Sequence, residues 1–206
     1  MLARFVQVSP EELADLVADP SAVPDLVEEA DDLPVGMLTL ADTQFADATG
    51  GTHGSALLEL MVRRGLVPSD DEPGDMPETA ERRTLSLDKA WHGIHYLLSG
   101  RPEPHPDRWG RVILGGTEIG EDDFGYGPAR YFDADEVAEI SADLGRPELE
   151  AELEDRFDPT RMTALAIYPG GWRSGDCEWV LDGFRQLRGF LADASARGAA
   201  VVTCLV

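Results

Sequence analysis

The stretch Trp179–Val206 reads WVLDGFRQLRGFLADASARGAAVVTCLV, and it decides the fold class. Val180, Phe184, Leu187 and Leu191 recur at helical spacing, so Trp179–Arg197 is expected to be an amphipathic helix with one apolar side. Gly198 follows as the stop, because glycine readily takes the left-handed conformation that closes a helix. Val201-Val202-Thr203-Cys204-Leu205-Val206 is then apolar without alternation, the pattern of a buried strand. A long helix feeding a buried strand calls for a core shared by helices and a sheet.

The same signals recur towards the N-terminus. Ala3–Val8 reads as an opening strand. Ser9 is a cap, Pro10 fits the first helical position and Glu12 completes a capping-box spacing, so a helix follows with Leu13, Leu16 and Val17 as its stripe and Asp19-Pro20 as its end. A short helix is expected around 24–30 and another over Ala56–Arg64. Ser86 and Gly100 bracket an expected helix over Leu87–Ser99. Arg111-Val112-Ile113-Leu114 reads as a strand running into Gly115-Gly116, and Pro128–Phe132 as a second one. Asp133-Ala134-Asp135-Glu136 opens a helix to Leu144, and Glu148–Arg156 is a charged helix. Helices and strands interleave without a βαβ rhythm. The expected fold is α+β: one domain over 1–206, several helices on a small mixed sheet, and a buried C-terminal strand. Pro68–Arg83 is acidic and rich in breakers, and reads as a mobile insertion rather than a boundary.

Charge narrows the partners. Forty acidic residues face seventeen basic ones, a formal net charge of −23. Phosphate backbones and anionic membrane surfaces are repelled by such a chain. A basic protein partner fits it, and solubility alone would explain it too. No apolar run approaches the ~20 residues of a membrane span. No signal-peptide hydrophobic region follows Met1, so a cytoplasmic location is expected. Cys177 and Cys204 lack a CxxC partner and read as ordinary reduced thiols.

The residues suited to chemistry gather in two segments. In the first, Leu87, Trp91, Ile94 and Leu98 share a helical stripe. Asp88, His92 and His95 could converge beside it, a carboxylate orienting a ring as a general base requires. The other reading of the same spacing is a core tryptophan with two histidines bonded to neighbouring loops. Gly93 is costly inside a helix and implies close approach of another backbone, for which the Gly115-Gly116 strand end is the candidate. In the second segment, Tyr126 precedes a Gly127-Pro128 turn and Arg130 follows on a strand. Arg130 either pairs with Glu118 or anchors an anionic ligand. Glu118, Asp122 and Asp123 match no calcium-loop spacing, and neither a metal nor a cofactor is expected. The dinucleotide and phosphate-loop glycine patterns are absent, as is a nucleophile elbow.

LDKAWHGIHYLLSG (Leu87–Gly100), LGGTEIGEDDFGYGPARYF (Leu114–Phe132) and RFDPTRM (Arg156–Met162) together resemble the YfbM-like family of bacterial proteins. The likeness extends to the opening VSPEELADLVADP and to the final helix and strand. It implies a bacterial, cytosolic α+β domain and no established activity. Two functional readings follow. The first is a non-enzymatic binding or interaction protein with an acidic surface. The second is a small-ligand binder or enzyme with a cleft among Asp88, Trp91, His92, His95, Glu118, Tyr126 and Arg130. Whether those side chains line a single pocket discriminates between them.

Overall fold

The computed structural model describes residues 1–32, 83–121 and 123–206. The helix expected over 56–64 and all but the last residue of the acidic insertion at 68–83 lie outside the described residues.

Among the described residues, five strands form one sheet: β1 (Ala3–Val8), β2 (Thr84–Ser86), β3 (Thr117–Ile119), β4 (Ala129–Phe132) and β5 (Ala200–Leu205), in the order β2-β1-β5-β4-β3. Every pairing is antiparallel, which corrects the expected mixed sheet. The reason lies in the connections. β3 and β4 are joined by the loop 120–128, and Gly198, at φ 63°, turns the chain sharply from the last helix into β5, so the described residues build no βαβ crossover.

Both faces of the sheet are covered, and the strand pattern shows how. On one face, Val6, Val8, Ile119, Ala129, Ala200, Val202 and Cys204 pack under α1 (Pro10–Ala18) and α2 (Val23–Asp32), which supply Leu13, Leu16, Val23, Leu26 and Val27. On the other face, Ala3, Phe5, Phe132 and Val201 pack under the remaining helices: α3 (Trp91–Ser99), α4 (Arg111–Leu114), α5 (Ala134–Leu144), α6 (Leu149–Arg156), α7 (Pro159–Ala164) and α8 (Cys177–Arg197). Burial on both sides explains why β5 reads as a continuous apolar run rather than an alternating one.

Local chemistry sets the helix ends. Ser9 accepts a hydrogen bond from Glu12 N–H at 3.1 Å, and Asp133 with Glu136 forms a complete capping box. Asp158 caps α7 by accepting from Thr160 and Arg161 N–H, with Pro159 at the first position; this helix was not anticipated. α3 begins later than expected. Ser86 ends β2, its hydroxyl accepts from Asp88 N–H at 3.4 Å, and a single 3-10 turn, Asp88–Ala90, precedes Trp91. Arg111–Leu114 is a helical turn rather than a strand. Asp107 accepts from Gly110 and Arg111 N–H, which starts a helical path that four apolar residues could not reveal by periodicity.

α3 and α8 cross closely at the centre of the helical layer. A Cβ at Gly183 would stand 3.0 Å from Ile94 Cδ1 and 3.2 Å from Ala90 Cβ. Gly183→Val should therefore cost ~1–3 kcal/mol of stability through overpacking. Urea denaturation measures it, and an unchanged midpoint would show that the helices can separate at no cost.

Candidate functional site

α3 places its polar side chains by burying everything around them. Trp91 is only 4% exposed and stacks on His92, with centroids 4.7 Å apart and planes at 11°. The Tyr168 ring also stacks on the indole, with centroids 6.2 Å apart. His92 accepts from Tyr168 N–H through Nδ1 at 3.0 Å, and its Nε2 lies 2.9 Å from Pro102 O. A carbonyl only accepts, so the ring carries its proton on Nε2 and is neutral. His95, fully buried, likewise directs Nε2 to Glu103 O at 3.1 Å. The two rings therefore brace the loop 101–107, and His92 also ties it to the chain at 168.

Burial pushes the pKa of His92 below the usual histidine value, against the opposing effect of Pro102 O and the Glu103 charge. His95 is depressed for the same first reason, and the neighbouring His92 adds to it. Asp88 does not orient either ring. It is exposed at φ 44°, and its carboxylate makes no hydrogen bond or ion pair among the described residues. Gly93 faces side chains rather than a glycine-rich backbone: a Cβ there would lie 2.9 Å from Trp172 Cη2 and 3.3 Å from Val180 Cγ2.

The second segment is built by the β3–β4 hairpin. Glu118 and Arg130 stand directly opposite in register and form an ion pair at 3.0 Å. Gly116, at φ 98°, lets this edge run close, since a Cβ there would be 2.7 Å from Tyr131 O. Asp123 closes the hairpin tip by accepting from Gly125 and Gly127 N–H, and those bonds hold its carboxyl below the usual range. Tyr126, 53% exposed, borders a dent shared with Arg130, Pro128, Ile113 and Thr203. Its volume of about 10 Å³ admits about one water molecule. No hydrogen bond, ion pair or ring contact among the described residues joins this group to Trp91, His92 and His95.

The aromatic residues most closely tied to α3 were missed by sequence reasoning. Tyr168 and Trp172 sit in the turn Tyr168-Pro169-Gly170-Gly171-Trp172. Trp172 Nε1 donates to Ile167 O at 2.7 Å, and its ring packs against Phe157 and Trp179. The Pro-Gly-Gly breaker followed by tryptophan was the available signal. Cys177 is half-buried beside them. Burial first, then Glu154 and Glu178, push its thiol pKa up, which makes it a poor nucleophile. Among the described residues, no group of histidine, cysteine and acidic side chains is placed to hold a metal ion. Among them also, no helix is long and apolar enough to cross a membrane.

The fold matches the crystal structure of a protein of unknown function, YfbM from Escherichia coli, with a TM-score of 0.62 and 16% sequence identity over 100% of both chains. At that identity the likeness concerns the fold. No curated protein matches the sequence. The profile of a domain of unknown function, DUF1877, matches residues 1–204, and the chain therefore belongs to the DUF1877 family.

Proposed function

We propose that the protein is a non-enzymatic binding protein that engages a cationic protein partner through its acidic face. One observation carries this reading. The layer formed by α1 and α2, residues 10–32, holds nine acidic residues and no lysine or arginine. Glu11, Asp15, Asp19, Asp25 and Glu28 on it are exposed. Several arginines elsewhere are engaged in ion pairs: Arg108 with Asp143, Arg111 with Glu139, Arg146 with Glu152, and Arg185 with Glu150, Glu178 and Asp182. The two helices thus carry no cation of their own beside these carboxylates. A one-sign surface of this kind raises the local concentration of a cationic partner and its association rate.

The side chains best suited to acid–base chemistry support the same reading. His92 and His95 hold loops in a neutral form, and Arg130 is paired with Glu118. The test is calorimetric titration with a nona-arginine peptide. Binding should weaken steeply with salt. The variant Glu11→Lys/Asp15→Lys/Asp25→Lys/Glu28→Lys should lose at least tenfold in affinity. No binding to the native protein, or equal binding to the variant, overturns the proposal.

A further inference from the structure

Three neighbouring strands bring Glu118, Arg130 and Thr203 into one row. Glu118 stands opposite Arg130 across β3 and β4, and Arg130 stands opposite Thr203 across β4 and β5. Residues paired in register present their side chains to the same face of the sheet. Arg130 commits Nη2 to Glu118 at 3.0 Å, and its other guanidinium nitrogens make no hydrogen bond among the described residues. A guanidinium has five N–H donors, so this pair leaves most of them free. Thr203 is only 4% exposed, and its hydroxyl also makes no hydrogen bond among the described residues. That hydroxyl is not sealed from water, and it reaches water through the dent that it lines with Arg130 and Tyr126. The Tyr126 hydroxyl, on the most exposed of these side chains' rings, is uncommitted as well.

Donors without acceptors, gathered at a water-sized opening, select the group that enters. A carboxylate oxygen takes about the room of a water molecule and accepts charge-assisted bonds from a guanidinium and from hydroxyls. An ammonium group would be repelled by Arg130. A phosphate dianion would bring two charges towards Glu118 and more oxygens than the opening takes. Ile113, Leu114 and Pro128 line the rest of the dent, which suits an aliphatic body behind the carboxylate. Charge farther away than about 8 Å is screened at physiological salt, so this local row decides the preference rather than the net charge of the chain. We propose that the dent is a binding site for a small aliphatic monocarboxylate, one oxygen of which is held by Arg130 and Thr203, with Tyr126 and the apolar lining beside its chain. The pairing with Glu118 does not exclude this, because it uses a single guanidinium nitrogen. The site is separate from the acidic α1–α2 layer, and the inference does not depend on the reading given to that layer.

The experiment is an NMR titration of the full chain with hexanoate. Amide shifts at residues 126–131 and 203–205 should saturate with a Kd of about 1–10 mM, the strength available to a fragment with one charge-assisted contact and a partly exposed chain. Hexanamide, which keeps the shape and lacks the charge, should bind at least about fivefold more weakly. Arg130→Gln should weaken hexanoate by about fivefold or more, and Thr203→Val, which keeps the branched shape and removes the hydroxyl, by about threefold. Glu118→Gln should tighten it about twofold, because it removes a competing carboxylate; a pair that only braces the hairpin predicts no gain. Where Arg130→Gln fails to fold, Thr203→Val and Glu118→Gln carry the test. Absence of a saturable shift in the native protein overturns the proposal. Equal affinity for hexanoate and hexanamide, or hexanoate affinity unchanged in both Thr203→Val and Glu118→Gln, overturns it too.

Discussion

Replacing Trp91 with alanine should lower the free energy of unfolding by about 3–5 kcal/mol, the range for losing a large buried aromatic side chain. The indole stacks with His92 and with Tyr168, on the stripe that also carries Leu87, Ile94 and Leu98. A void there has rigid walls. Gly183 lets α8 press against the Ala90 and Ile94 side of α3, so the site cannot collapse cheaply. Trp91→Phe should cost much less, about 1–2 kcal/mol, because the indole N–H is buried with no hydrogen-bond partner and none is lost with it. Urea denaturation of both variants measures the pair. A Trp91→Ala cost below ~1 kcal/mol would mean that the ring is not a core element and would return it to the list of ligand-facing groups.

Acid should destabilise the fold before the carboxylates titrate. His92 and His95 have pKa values lowered in the folded state. Between those values and the unfolded value of about 6.5, the unfolded chain binds more protons than the folded one. Their stabilisation is therefore complete above about pH 6.5 and is lost as pH falls through the folded pKa values. With both rings contributing, the slope approaches ~3 kcal/mol per pH unit at most. The geometry gives the cause: a protonated His92 cannot accept from Tyr168 N–H, so the tie between the two loops breaks. Denaturation midpoints from pH 7.5 to 5, with the ring signals followed by NMR, test this. A His92 that titrates at or above 6.5 would contradict it.

Much of the architecture was legible because it is decided locally. Ser9-Pro10, Asp133 with Glu136, and Gly198 each fix a helix end through bonds within a few residues, and each end stands where those residues place it. Arg111–Leu114 was misread because its path depends on Asp107, a residue outside the apolar run. The short edge strands Thr84–Ser86 and Thr117–Ile119 carry too few residues for a period to show. The candidate site divides in the same way. The Glu118–Arg130 pair follows from the scarcity of cations in an acidic chain and from hairpin register. The partners of His92 and His95 come from loops at 102–103 and 168, whose approach is a tertiary event that no spacing within α3 encodes.

The centre of the sheet is made by strands from opposite ends of the sequence. β1 pairs with β5 from Ala3↔Leu205 to Val8↔Ala200, and Leu2 and Val206 exchange backbone hydrogen bonds just beyond. Neither strand can be replaced by a neighbour, since β2 reaches the sheet only through β1, and β4 only through β5. The entropy of closing so long a loop, roughly 4–5 kcal/mol, must be met before either half of the sheet has anything to extend. Such a topology puts the slow step of folding in one long-range encounter, with the helices forming early around a centre that is still missing. A lesion in either strand would then act twice: once on the stability of the finished protein, and once on the time the chain spends with its apolar strands unpaired.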